Sequence, residues 1–185
     1  MVPVFISMSD IIKQSIPNIS DWPIPGVVYR DITGLTTNVT GFQESVRLLT
    51  EHLQGRVDCI IAADARGFIW GGAVANLLAI PLHLVRKPGK LPPPTYSYEF
   101  EYEYAKTSLH IKSNAEIGAG TRIGIIDDVN ATGGTALAMI ELLKTFKVSV
   151  DNISYCCIID LPFLGGSERI RQAGVNFFSA TSYNE

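Results

Sequence analysis

The segment IGIIDDVNATGGT, residues 123–135, sets two adjacent carboxylates, Asp127 and Asp128, at the end of a continuous apolar run and follows them with a small, glycine-bearing turn. Several backbone N–H groups of such a turn can converge on one phosphate. Ala131, Gly133 and Gly134 let the backbone approach closely, and Thr132 and Thr135 add hydroxyl donors. Two acids beside a phosphate cradle would repel it unless they had other work, such as accepting hydrogen bonds from sugar hydroxyls or holding a divalent cation. A phosphorylated ribose meets both demands. The bland alternative is a tight strand-to-helix connection with a solvated Asp pair. The turn lacks the Gly-Lys-Ser/Thr ending of a nucleotide-triphosphate loop, and no GxGxxG follows an expected strand, which weighs against triphosphate hydrolysis and dinucleotide binding.

A second cluster is cationic. In AADARGF, residues 62–68, Arg66 stands where a strand gives way to a helix. Its guanidinium can fork onto a pyrophosphate while Gly67 admits close approach of the backbone. The competing reading makes Arg66 a helix cap or a partner of Asp64. Arg86, Lys87 and Lys90 follow at the next strand end, as an anion-binding loop or a solvated basic turn.

Other reactive residue types offer less. His52, His83 and His110 are scattered without ligand spacing, so a zinc centre or a histidine-assisted nucleophile has little support. Cys156 and Cys157 sit in a strongly apolar run and read as buried small hydrophobes. With Cys59 they make three cysteines, an odd number that argues against a secreted disulfide framework and for a reducing cytosol. The residues 96–104 alternate Tyr or Phe with Glu99, Glu101 and Glu103, a period of two that means strand or hairpin, more like a flap than a core strand.

The elements that must position these groups follow from a repeated rhythm. CIIAAD runs into RGFIWGGAVANLLAI, LHLVR into a proline-rich loop, RIGIIDDV into ATGGTALAMIELLKTF, and NISYCCIID into LPFLGGSERIRQ. Such alternation predicts an α/β domain with a mainly parallel sheet, its continuous apolar strands covered by helices on both sides. Strands are expected near 58–63, 122–127 and 153–159, with a helix beginning near Gly134. Thr40 followed by Gln43 reads as a capping box opening a helix whose apolar stripe is Phe42, Val46, Leu49 and Leu53. Ser9 to Ile16 reads as a short helix, and DWPIPGVVYRDIT, with prolines at 23 and 25, as an extended, rigid segment.

At 185 residues the chain is one domain's worth, and with 46% hydrophobic and 18% charged residues it should fold. A formal charge of −3 supplies no global field toward a polyanion, so no nucleic-acid partner is expected. The opening MVPVFISMSD is apolar for too short a stretch, and lacks the basic region, to be a signal peptide or membrane span. The polarity switch at Ser9 points to Met8 as the start.

The pattern hydrophobic-Asp-Asp-x-x-Ala-Thr-Gly-Gly-Thr resembles the phosphoribosyl-pyrophosphate (PRPP) signature of type I phosphoribosyltransferases. AADARGF looks like the pyrophosphate loop of the adenine phosphoribosyltransferase family, and DWPIPGVVYRDIT resembles that family's base-binding segment, so the likeness covers nearly the whole chain. It implies the type I phosphoribosyltransferase fold over 1–185, with a small N-terminal hood at about 9–35 and a flexible flap at about 87–111. The implied reaction turns adenine and PRPP into AMP and pyrophosphate with Mg2+, in a cytoplasmic homodimer with no membrane partner. It assigns Asp127, Asp128 and residues Ala131, Thr132, Gly133, Gly134 and Thr135 to ribose and its 5′-phosphate. Asp64, Ala65, Arg66 and Gly67 form the pyrophosphate loop, with a strained non-proline peptide whose cis form is one option. Arg86, Lys87 and Lys90 contribute charge to the pyrophosphate, in part across a subunit boundary. Val28, Tyr29, Arg30 and Leu161 hold adenine. Glu103, in EYAK, is the flap acid, with Tyr104 beside it, and the metal travels with PRPP near Asp127 and Asp128. Two rivals remain: a phosphoribosyltransferase for guanine, hypoxanthine or xanthine, and a non-catalytic PRPP sensor on the same fold.

Overall fold

In the computed structural model, residues 8–102 and 105–185 are described. The chain divides into two compact units, residues 1–48 and 49–185. The expectation about residues 1–7 falls outside the described residues.

The first unit holds helix α1 (Met8–Gln14), the antiparallel pair β1 (Asn18–Ser20) and β2 (Val28–Arg30), helix α2 (Thr33–Thr37) and most of helix α3 (Val39–Leu53). The proline-rich DWPIPG stretch is not an extended segment: it is the loop of the β1–β2 hairpin. Asp21 closes that loop by accepting the Gly26 N–H at 2.8 Å, and the prolines occupy positions where no ladder N–H is needed. Helix α3 starts before the expected capping box. The Asn38 side chain accepts the Gly41 N–H at 2.9 Å, so Asn38 takes the capping position and Thr40 falls inside the first turn. Its stripe is as expected, with Val46, Leu49 and Leu53 buried and Gly55 in the left-handed region just past its end.

The second unit is built on a five-stranded sheet of β3 (Cys59–Ala63), β4 (Leu82–Val85), β7 (Ile123–Asn130), β8 (Ile153–Asp160) and β9 (Asn176–Ser182). Its order is β4-β3-β7-β8-β9 and every pairing is parallel. Between β4 and β7 lies an antiparallel hairpin, β5 (Thr95–Tyr102) and β6 (Ala105–Lys112), at the position of the expected flap. Its base belongs to the core, because Leu109 and Ile111 are buried with the sheet residues Ile123, Ile125 and Tyr155.

Helices α4 (Gly67–Leu78), α5 (Gly134–Leu143) and α6 (Gly166–Gln172) follow β3, β7 and β8. The crossover from β3 runs toward one edge of the sheet and those from β7 and β8 toward the other. Right-handed connections therefore put α4 on one face and α5 and α6 on the opposite one. The strand order reverses between β3 and β7, and the loops leaving these neighbours part there, opening a crevice at their carboxyl ends. Gly67 keeps that junction tight: a Cβ added to it would lie 2.7 Å from the Ile126 carbonyl oxygen. All three cysteines are buried free thiols. Among the described residues no helix is long and apolar enough to cross a membrane.

Candidate active site at the carboxyl ends of β3 and β7

Strand β7 delivers its two acids to opposite sides. Side chains alternate along a strand, so Asp127 follows Ile123 and Ile125 toward α5, whereas Asp128 follows Gly124 and Ile126 toward α4. On the α4 side the Arg66 Nε lies 2.5 Å from Asp128 Oδ2. On the other, Asp127 is buried and its Oδ1 accepts the Asp128 N–H at 2.9 Å. Burial, and then the neighbouring charge of Asp128, hold the Asp127 carboxyl well above the usual carboxylate range.

The loop after β3 has a cis peptide between Asp64 and Ala65. Asp64 does not pair with Arg66. Its Oδ2 accepts from Arg86 Nε at 2.9 Å and from the Lys87 N–H at 3.3 Å. Burial alone would raise the Asp64 pKa, but these two hydrogen bonds and the charges of Arg86 and Lys87 outweigh it and hold the group below its ordinary value. The Arg86 guanidinium also lies over the Phe68 ring, 5.4 Å from its centroid.

Asp64, Arg66, Lys87, Asp127, Asp128 and Thr135 line one cavity of about 330 Å³, walled on its apolar side by Phe100, Leu109 and Val129. A smaller recess of about 50 Å³ is formed by the turn from Ala131 to Thr135 with Asp127 and Tyr155. Gly133 occupies the left-handed region at φ 80°, as the turn into α5 requires. The sequence-predicted groups for ribose, 5′-phosphate and pyrophosphate thus converge, except that Ala65 and Gly67 do not line the cavity, Arg86 stands behind Asp64 on its carboxylate, and Lys90 lies out on an exposed turn.

The base-binding candidates are divided between the units. Leu161 follows β8, half-buried, with its N–H on the Asn130 carbonyl at 2.9 Å. In the first unit the Asp31 N–H reaches the Pro17 carbonyl at 2.9 Å, and the register opposes Asn18 to Arg30 and Ser20 to Val28. Bonded and non-bonded pairs alternate in an antiparallel ladder, so the Val28 carbonyl and Arg30 N–H project from the side of β2 away from β1. Tyr29 packs edge-on to Trp22, ring centroids 4.5 Å apart. Glu103 and Tyr104 lie outside the described residues. Of the other flap acids, Glu99 stands opposite Ser108 and Glu101 opposite Lys106, both exposed.

Hard oxygen donors at Asp127 and Asp128, in a cavity that also holds cations for an anionic ligand, suit an Mg2+ ion bound largely through substrate oxygens and water. Among the described residues no three His, Cys, Asp or Glu side chains gather as a protein-only metal cage.

Comparison with known proteins places the chain in a family. The chain matches the phosphoribosyl transferase domain family over residues 36–169. It is 42% identical to the adenine phosphoribosyltransferase of Methylorubrum populi over 165 residues, 89% of this chain and 90% of the relative. The chain belongs to the adenine phosphoribosyltransferase family. The solved adenine phosphoribosyltransferase of Thermoanaerobacter pseudethanolicus superposes with a TM-score of 0.85 at 38% identity, covering 95% of this chain and 99% of that one. The Giardia lamblia adenine phosphoribosyltransferase, solved with 9-deazaadenine, gives a TM-score of 0.88 at 29% identity, covering 97% and 99%. Like these relatives, this adenine phosphoribosyltransferase family member carries a mostly parallel sheet flanked by helices.

Sequence reasoning missed four residues that hold the site together. Asn130 donates from Nδ2 to Asp160 Oδ1 at 2.8 Å in a buried pair that ties β7 to β8. Gly166 and Arg169, at the start of α6, bond to the turn at Ala131 and Thr132. The adjacent glycines 165 and 166 were the available signal, since a glycine pair before a short helix marks a close backbone approach.

Proposed function

We propose that this chain catalyses purine salvage, joining adenine to PRPP with release of pyrophosphate to give AMP. The carrying observation is the convergence of the Asp64–Gly67 loop, the Asp127–Asp128 pair and the Ala131–Thr135 turn at the crevice between β3 and β7. In this reading the turn holds the 5′-phosphate and the two acids hold the ribose hydroxyls. Arg66 and Lys87 take the pyrophosphate, with Asp64, Ala65 and Gly67 shaping its loop and Arg86 and Lys90 adding charge. Asp127 and Asp128 would hold Mg2+ carried by PRPP, which would supply charge neutralisation at the pyrophosphate.

The bond from ribose C1 to pyrophosphate breaks as that from C1 to adenine N9 forms, through a transition state of oxocarbenium character. Such a reaction asks for leaving-group stabilisation and a positioned base more than for a nucleophilic side chain. Glu103 on the flap, with Tyr104 beside it, manages the proton at adenine N7. Residues 1–185 act as one phosphoribosyltransferase domain, with about 9–35 as the base-binding segment and about 87–111 as the flap. The enzyme works in the cytoplasm as a homodimer. Three buried thiols favour the former, and the exposed apolar Ile69 and Leu77 on α4 favour the latter.

Adenine selectivity follows from backbone polarity. The Val28 carbonyl accepts from the 6-amino group and the Arg30 N–H donates to N1, while Tyr29 covers a ring face. Hypoxanthine or guanine presents a 6-oxo acceptor to the carbonyl and an N1–H to the N–H, two mispairings at about 1–3 kcal/mol each. Competing the three bases at equal concentration for PRPP should give about 10²–10⁴-fold preference for adenine. Equal consumption would overturn the base assignment, and no pyrophosphate release with any purine would favour the PRPP sensor.

A further inference from the structure

A phosphate cradle needs its N–H groups turned outward and its carbonyls turned away, because a carbonyl oxygen aimed at the anion repels it. Four successive carbonyls at the turn after β7 are drawn back by four separate donors. The Leu161 N–H takes Asn130 at 2.9 Å, the Gly166 N–H takes Ala131 at 3.0 Å, and the Leu137 N–H takes Gly133 at 2.9 Å. Arg169 Nη1 takes Thr132, at 2.6 Å. The N–H groups of Thr132 to Thr135 have no part in these bonds. Only one of the four donors is a side chain, and it comes from an exposed residue on a different helix.

The fit behind the turn is close. A Cβ on Gly166 would lie 2.3 Å from the Ala131 carbonyl oxygen and 2.5 Å from the Gly133 nitrogen. The α6 start thus lies directly against the backbone of the turn, and Arg169 reaches the Thr132 carbonyl from the next turn of that helix.

We propose that Arg169 is a positioning residue for the 5′-phosphate: by holding the Thr132 carbonyl away from the anion, it keeps the N–H groups of the cradle aimed at a phosphate monoester. This rests on the phosphoribosyl reading above. Arg169 touches no reacting atom. Its loss frees the Thr132 peptide to turn, which weakens ligands that carry the 5′-phosphate and spares pyrophosphate, whose loop follows β3.

The test measures binding of AMP, PRPP and inorganic pyrophosphate to wild type, Arg169→Ala and Arg169→Lys, together with steady-state kinetics and thermal midpoints. For Arg169→Ala the dissociation constants of AMP and PRPP should rise about tenfold, the effect of one charge-assisted hydrogen bond. Pyrophosphate binding and KM for adenine should stay at wild-type values. Arg169→Lys, which restores a cationic donor, should recover part of the loss. If Arg169→Ala folds poorly, Arg169→Met supplies the same comparison with the aliphatic stem kept and the N–H donor removed. Unchanged AMP and PRPP binding in the alanine variant, or an equal loss for pyrophosphate, would overturn the positioning role while leaving the phosphoribosyl reading intact. Wild-type protein that binds neither AMP nor PRPP would overturn both.

Discussion

Arg66 and Asp128 face each other across the junction of β3 and β7, Nε to Oδ2, at 2.5 Å. In the proposed complex the first serves pyrophosphate and the second a ribose hydroxyl, so each residue occupies the other until substrate arrives. The Arg66 side chain is 45% exposed and Asp128 only 8%, which leaves the cation the more easily re-aimed of the two. Asp128→Asn should therefore tighten inorganic pyrophosphate binding severalfold while weakening PRPP. Calorimetric titration of both ligands checks it, and parallel losses would mean that the pair acts as one unit.

Asp127 sets a pH dependence of stability. Its folded pKa is raised, chiefly by burial and then by the Asp128 charge, above the ordinary 3.8. The unfolded chain ionises first as pH rises, so the fold loses stability from about pH 4 upward until Asp127 itself ionises. Asp127→Asn should raise the thermal midpoint at pH 8, by about 2–4 °C per kcal/mol relieved, with the gain shrinking toward pH 4. Asp64 works with the opposite sign, its lowered pKa giving stability present at neutral pH and lost in acid. A midpoint difference independent of pH would show that Asp127 carries no ionisation penalty.

Glu103→Gln should lower kcat by about 10²–10⁴-fold with little change in KM for PRPP, as removal of a proton-handling group does. Glu101 stands opposite Lys106 in the hairpin, and Glu101→Gln should leave turnover near wild type. A reversal of the two effects would shift the flap assignment by one tooth of the alternation.

Gly67→Ala should destabilise the domain by about 1–3 kcal/mol, since its Cβ would sit 2.7 Å from a backbone carbonyl that cannot rotate out of the way. Chemical denaturation measures this directly. A neutral effect would mean that α4 can slide on β7.

The sheet was legible because β3, β7 and β8 are buried on both faces and their sequences, CIIAA, IGIIDDVN and ISYCCIID, are nearly unbroken apolar runs. The phosphate turn was legible because its glycines and threonines are contiguous. Less legible was anything set by direction. Arg66 reaches Asp128 and not Asp64 because side-chain alternation sends Asp128 toward α4, and Arg86, arriving from β4, takes Asp64. The Asn38 cap displaced the expected Thr40 because both residue types cap well and only the backbone course decides between them. Arg169 bonds a main-chain oxygen 37 positions away, and no spacing rule marks a carbonyl.

The buried thiols make this protein convenient for spectroscopy. Burial pushes the Cys59 pKa up to about 11 and raises Cys156 and Cys157 as well, so at neutral pH none offers a thiolate to an alkylating dye. One cysteine placed at exposed Glu99 or Lys106 would then take a fluorophore against a silent background, with no native thiol to delete first. Whether the hairpin moves during turnover then becomes readable in real time from an otherwise unaltered chain.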